Sequence, residues 1–157
     1  MNLTIFFFLS LVLNTNDISH LPQKNSESLR IMICNVLHGA NDVVKGAEKT
    51  LKIIKKTNPD LVLLQESYDI KDERPKLGKW LSEKLSWNEY QDKSRHLCVL
   101  TPLEIKTSFF HDPWHGIGAR IKDPKGRQFI AWSIWIDYRS YITYTLRDSP
   151  EITNEKL

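Results

Sequence analysis

Asn35 and Glu66 each close an apolar run, at residues 29–34 (LRIMIC) and 61–64 (LVLL), the latter passing through Gln65. A carboxamide and a carboxylate so placed are the side-chain types from which a ligand-binding sheet edge can be built. A second concentration of such groups is His111-Asp112-Pro113-Trp114-His115, where His, Asp and His are all good metal ligands. Pro113 disfavours a helix there, so two histidines four apart gain no common helical face, and the segment reads as a strand-connecting loop. His38 reads as a solvent-exposed loop histidine. Trp132, Trp135, Tyr138, Tyr141 and Tyr144 offer a base-stacking platform, but sheet core and hairpin packing explain them more cheaply. Arg139 and Arg147 read as solvated surface. Cys34 and Cys98 sit inside apolar runs and read as small hydrophobes; a disulfide between them does not follow from sequence.

The elements that must carry Asn35 and Glu66 follow from periodicity. Residues 29–34 form a short apolar run with β-branched members, the pattern of a buried strand. Val44, Ala47, Leu51 and Ile54 then recur at helical spacing, with Asn41 or Asp42 as the expected N-cap and Lys55 and Lys56 in the last turn. Asn58-Pro59-Asp60 ends that helix, and residues 61–64 form a second strand. A helical crossover implies parallel strands, so Asn35 and Glu66 are expected at the same sheet edge. Leu77, Trp80, Leu81 and Leu85 predict a second amphipathic helix. Beyond it the pattern turns to consecutive strands at residues 96–101, 105–110, 116–121 and 128–136, with Asp123-Pro124-Lys125-Gly126 as a type I turn between the last two.

Composition sets the frame around these elements. The chain has 157 residues, 41% of them hydrophobic, enough for one packed domain. Its net charge of +3 comes from 22 basic and 19 acidic residues interspersed without a basic stripe, so charge gives nucleic acid no support as a partner. Residues 3–13 (LTIFFFLSLVL) are uncharged and apolar but shorter than the about 20 residues of a membrane helix. They suit the core of a signal peptide over residues 1–20, which predicts a secreted, extracellular or periplasmic protein and no stable membrane span. Residues 21–28 read as a linker, 29–146 as the folded domain and 147–157 as a polar tail.

Residues 29–39 (LRIMICNVLHG) and 59–67 (PDLVLLQES), separated by one helix, resemble the opening of the endonuclease/exonuclease/phosphatase family. In that family a strand ends in Asn before an apolar-x-x-Gly segment, and the next, introduced by Pro-Asp, ends in Gln-Glu. The strand pair 116–121 and 126–138 extends the resemblance over residues 29–146. It implies an α/β fold, part of a four-layer α/β/β/α sandwich, and hydrolysis of a phosphate-ester substrate aided by Mg2+ or Mn2+. Glu66 would be the metal ligand, and Asn35 its catalytic neighbour at the metal or the scissile phosphate. The chain departs from the family in two ways. Trp135 stands where many members carry a His, and the Gly-Asp-x-Asn and Ser-Asp-His motifs are absent. This predicts a truncated, weakly active or inactive hydrolase, or a non-catalytic binding remnant. A half-sandwich would expose sheet surface and invite self-association.

Overall fold

Every residue of the strand Leu61–Gln65 is buried, which is why its sequence runs apolar without alternation: each face lies against a different layer. The computed structural model describes residues 2–8, 28–68 and 76–136. Within them the strands are β1 (Asn2–Phe8), β2 (Ser28–Asn35), β3 (Leu61–Gln65), β4 (Asn88–Tyr90), β5 (Cys98–Thr101), β6 (Glu104–Asp112), β7 (Gly116–Lys122) and β8 (Gln128–Ile134). The helices are α1 (Gly46–Thr57) and α2 (Leu77–Leu85). One sheet has the order β1-β2-β3-β5-β4, the other β6-β7-β8.

Val62 and Leu64 point from β3 toward the helices, where they pack with Met32, Ala47, Ile54, Leu77, Leu81, Cys98 and Leu100. Leu61 and Leu63 point the other way, where with Leu97 and Val99 of the same sheet they pack against Ile117, Ala119, Ile121 and Ala131 of the hairpin layer. Burying each of these large side chains contributes about 1.5–3 kcal/mol. The result is three layers, helices on sheet on sheet. The fourth layer expected for a complete sandwich is not found among the described residues, and the outer face of β8 presents exposed Ile130, Trp132 and Ile134. Trp132 stacks on Phe109 across β7, with ring centroids 5.9 Å apart.

β1, β2 and β3 are parallel, and Asn35 lies opposite Gln65. That register is locked at the entrance to β3: the Arg30 N–H donates to Asp60 Oδ2 at 2.9 Å, and the Asp60 N–H donates to the Arg30 carbonyl at 2.8 Å. The Pro-Asp step thus aligns the two strands so that their polar ends meet five residues later. The apolar run read as the heart of an export signal contributes β1, the outer strand beside β2. Residues 9–27, most of the expected linker among them, lie outside the described residues, as do Tyr138, Arg139, Tyr141, Tyr144, Arg147 and the polar tail.

Helix α1 begins later than its periodicity suggests. Asn41 and Asp42 do not cap it: Asn41 Nδ2 donates to the His38 carbonyl, and Asp42 binds the His38 ring. The residue before the helix is Lys45, in the left-handed region, and Val44 is 82% exposed rather than part of the buried face. Gly46 sets the start, because a Cβ there would collide with the Ala40 carbonyl. The buried face is Ala47, Thr50, Ile54 and Thr57. Helix α2 and the turn after Asp123 match expectation, with the Gly126 N–H donating to the Asp123 carbonyl at 2.9 Å. Strand β4 was not expected; its three residues, Asn-Glu-Tyr, are too few and too polar to show a period, and pairing with β5 makes them a strand. Cys34 and Cys98 are free thiols in the helix-side core. Burial pushes the Cys34 thiol up to about 11 and the Cys98 thiol well above its usual range, so both act as apolar side chains at neutral pH.

Candidate functional site

Parallel pairing brings the two residues singled out by the sequence into direct contact. Asn35 Nδ2 donates to Glu66 Oε1 at 2.9 Å, and Asn35 Oδ1 accepts the Leu37 N–H at 2.9 Å. The two partners fix the amide orientation, since a carboxylate can only accept and an N–H can only donate. Asn35 therefore holds the carboxylate in place, and its own oxygen accepts from the backbone. Glu66 Oε2 receives one long contact, from the His38 N–H at 3.4 Å, and keeps acceptor capacity. Gln65, inside β3, serves the fold: its Nε2 donates to Ser133 Oγ at 3.3 Å, and Ser133 Oγ donates to the Leu64 carbonyl at 2.9 Å, tying β8 to β3.

The backbone around this contact is strained. Leu37, His38 and Ala40 have φ of 37°, 49° and 64°, Gly39 has 66° and Glu66 has 57°. Left-handed φ is uncommon outside glycine, and such residues cost about 1–3 kcal/mol each unless their surroundings over-determine them. Here the surroundings do so. The Gly39 N–H donates to the Glu66 carbonyl at 2.7 Å, the Ala40 N–H donates to the Val36 carbonyl at 2.9 Å, and a Cβ on Gly39 would collide with the Tyr68 carbonyl. Strain stored this way clusters at sites that must hold a side chain in one geometry.

His38 is half-exposed, as expected of a loop residue, but it is also partnered: its Nδ1 lies 2.6 Å from Asp42 Oδ2, while its backbone touches Glu66. His96 was not foreseen. It is 1% exposed, its Nδ1 accepts the Glu66 N–H at 3.2 Å, and its Nε2 lies 2.9 Å from the Trp114 carbonyl. Burial pulls its imidazole below the usual range, only partly opposed by the Trp114 carbonyl and the Glu66 charge, so it is neutral at pH 7. Its only sequence signal was a polar residue opening the apolar run 96–101, and no spacing ties it to Glu66. Tyr68, Trp114 and Trp135 surround the ring, with centroids 5.9, 5.2 and 5.1 Å away. Trp135, at the position where a histidine was expected from the family pattern, thus lines the same end of the sheet with an aromatic wall.

The segment 111–115 comprises the last two residues of β6 and the β6–β7 turn. Asp112 Oδ1 accepts the N–H groups of Trp114 and His115 at 2.7 and 2.8 Å, and both Asp112 oxygens lie 3.0 Å from His115 Nδ1. Desolvation works against the Asp112 carboxylate, but the three donors together outweigh it and hold its pKa below the usual range. Those bonds occupy the carboxylate in turn geometry, which agrees with the loop reading. Among the described residues no group of three or more His, Cys, Asp or Glu side chains is arranged to hold a metal ion. Among the described residues, a cation at Glu66 would meet one carboxylate oxygen with acceptor capacity to spare, a donor set that fits an ion completing its shell with water and substrate oxygens, as Mg2+ does.

Comparison with known proteins agrees with this architecture. No family model matches the chain. It is 30% identical over 150 residues to an uncharacterized protein of Caenorhabditis elegans, an alignment covering 92% of this chain and 45% of that one. The chain therefore spans about half the length of that relative. Among solved structures, an endonuclease/exonuclease/phosphatase family protein from Leptotrichia buccalis superposes with a TM-score of 0.53 at 14% identity, covering 80% of this chain and 63% of the other. That likeness shows a shared fold.

Proposed function

We propose that the chain carries the metal-binding front half of a phosphoester hydrolase of the endonuclease/exonuclease/phosphatase type, with Glu66 as ligand for Mg2+ or Mn2+ and Asn35 as the group that orients it. The observation that carries this reading is the 2.9 Å bond between Asn35 and Glu66 across two parallel strand ends, inside a strained loop. A bound dication would supply charge to polarise a phosphate ester. Asn35 keeps Glu66 Oε1 occupied and leaves Oε2 for the ion. The strained loop holds the carboxylate so that binding need not reorganise it. His38 reaches Glu66 through its backbone N–H, and its ring, paired with Asp42, would serve as a donor or acceptor for a substrate oxygen. Export directed by residues 1–20 would place this activity outside the cell. The test is hydrolysis of bis(p-nitrophenyl) phosphate with Mg2+ or Mn2+. We expect slow metal-dependent turnover that falls at least about tenfold in Glu66→Ala; equal turnover by that variant would sink the reading.

A second reading is favoured by one observation, that among the described residues no group of three or more His, Cys, Asp or Glu side chains is arranged to hold a metal ion, while Trp135 adds a wall with no acid, base or ligand atom. It makes the protein a non-catalytic binder that keeps the fold. Turnover no faster than buffer, with the protein folded and metal present, would select it.

A further inference from the structure

We propose that His96 is a positioning residue for the Glu66 carboxylate, locked in a single tautomer by the backbone of the β6–β7 turn. Its effect on metal affinity rests on the reading of Glu66 given above; its effect on the geometry of Glu66 does not.

Past the end of β3 the chain stays beside the segment leading into β5, the Ser67 N–H donating to the His96 carbonyl at 2.8 Å, and the Glu66 N–H faces the ring of residue 96. That donor finds His96 Nδ1 at 3.2 Å. An N–H can only donate and a carbonyl can only accept, so Nδ1 must carry the lone pair and Nε2 the proton that goes to the Trp114 carbonyl at 2.9 Å. Both ring nitrogens are therefore committed, and the rings of Tyr68, Trp114 and Trp135 leave the imidazole no room to turn. The Trp114 carbonyl is fixed as well, because Asp112 accepts the Trp114 and His115 N–H groups and the Arg95 N–H donates to the Pro113 carbonyl at 2.9 Å. A relay of hydrogen bonds thus runs from Asp112 through the turn and His96 to the backbone of Glu66. Segment 111–115 accordingly holds the imidazole that holds the strand end.

Substitutions separate the two ends of the ring. His96→Phe keeps a buried ring and removes both hydrogen bonds. His96→Asn places an acceptor where Nδ1 was, and His96→Gln places a donor near Nε2. In the full chain, amide hydrogen exchange at Glu66 reports the backbone geometry, and calorimetric titration with Mn2+ reports its use. His96→Phe should speed Glu66 exchange about tenfold while Leu63 stays protected, and should weaken Mn2+ binding about tenfold. His96→Asn should restore most of both, and His96→Gln neither. Equal losses in the Asn and Gln variants, or unchanged Glu66 exchange in His96→Phe, would overturn the proposal. Should His96→Phe fail to fold, the contrast between Asn and Gln decides alone. If the unaltered protein binds no Mn2+, or Glu66→Ala binds it equally well, the reading of Glu66 fails, and the exchange data still decide the role of His96.

Discussion

Between β2 and α1 four successive residues and then Lys45 sit in left-handed backbone, and Glu66, just past the next strand, joins them; in the hairpin layer β6–β8 the only left-handed residue is Gly126, at its turn. The hairpin layer is held by ladders and by Ile117, Ala119 and Ile121 pressed on β3 and β5, with energy spread over many ordinary contacts. The strand-end region is held by a few directional bonds: Asn35 to Glu66, Gly39 to the Glu66 carbonyl, and Glu66 to His96. One region is built for stability. The other gives up stability to fix a single carboxylate, and that contrast, not the presence of a glutamate, singles out the candidate site.

Substitutions can break the contrast in order of size. Ile121→Ala removes a fully buried side chain from the hairpin layer and should cost about 2–5 kcal/mol in urea unfolding, with Mn2+ affinity per folded molecule unchanged; a parallel loss of affinity would mean that the two regions are not separable. Gly39→Ala adds a Cβ against the Tyr68 carbonyl at a φ of 66°, and should cost about 1–3 kcal/mol and weaken metal binding together. Ala40→Gly relieves a φ of 64° and should gain about 1 kcal/mol, the mark of a strained position; a loss would show the loop to be relaxed.

The smallest effect lies in the main sheet, away from both regions. Burial raises the Glu89 carboxyl above its ordinary pKa, opposed in part by the charges of Lys79 and Lys76, and its Oε2 is buried without a hydrogen-bond partner. The folded state thus binds this proton more tightly than the unfolded one, so Glu89 erodes stability as pH rises from the ordinary carboxylate range toward the raised folded value. Glu89→Gln should match the unaltered protein near pH 4 and exceed it at pH 7, by about 1–2 °C in Tm. A gap that shrinks with rising pH would contradict the assignment.

Much of the frame was legible in the sequence because burial on both faces writes a continuous apolar run. Residues 61–64 and 96–101 read as strands, which form as β3 and β5, and Pro124 with Gly126 read as the turn that forms there. The meeting of Asn35 and Glu66 followed from parallel pairing. What stayed hidden depended on atoms rather than periods. Val44 fits the helical spacing of α1, but Asn41 and Asp42 bind His38 and delay the helix past it. β4 exists only because β5 offers an edge. His96 reaches Glu66 through a fold contact between residues 30 apart, which no local pattern encodes.

The cation site is tested most directly by calorimetric titration of the folded chain with Mn2+, alongside Glu66→Gln, which keeps the side chain's size and one acceptor oxygen for Asn35 but removes the charge. One binding site is expected in the unaltered protein, with a loss of affinity of at least about tenfold in the variant. Equal binding by both proteins, or no binding by the unaltered chain, would contradict the claim that these strand ends form a cation site.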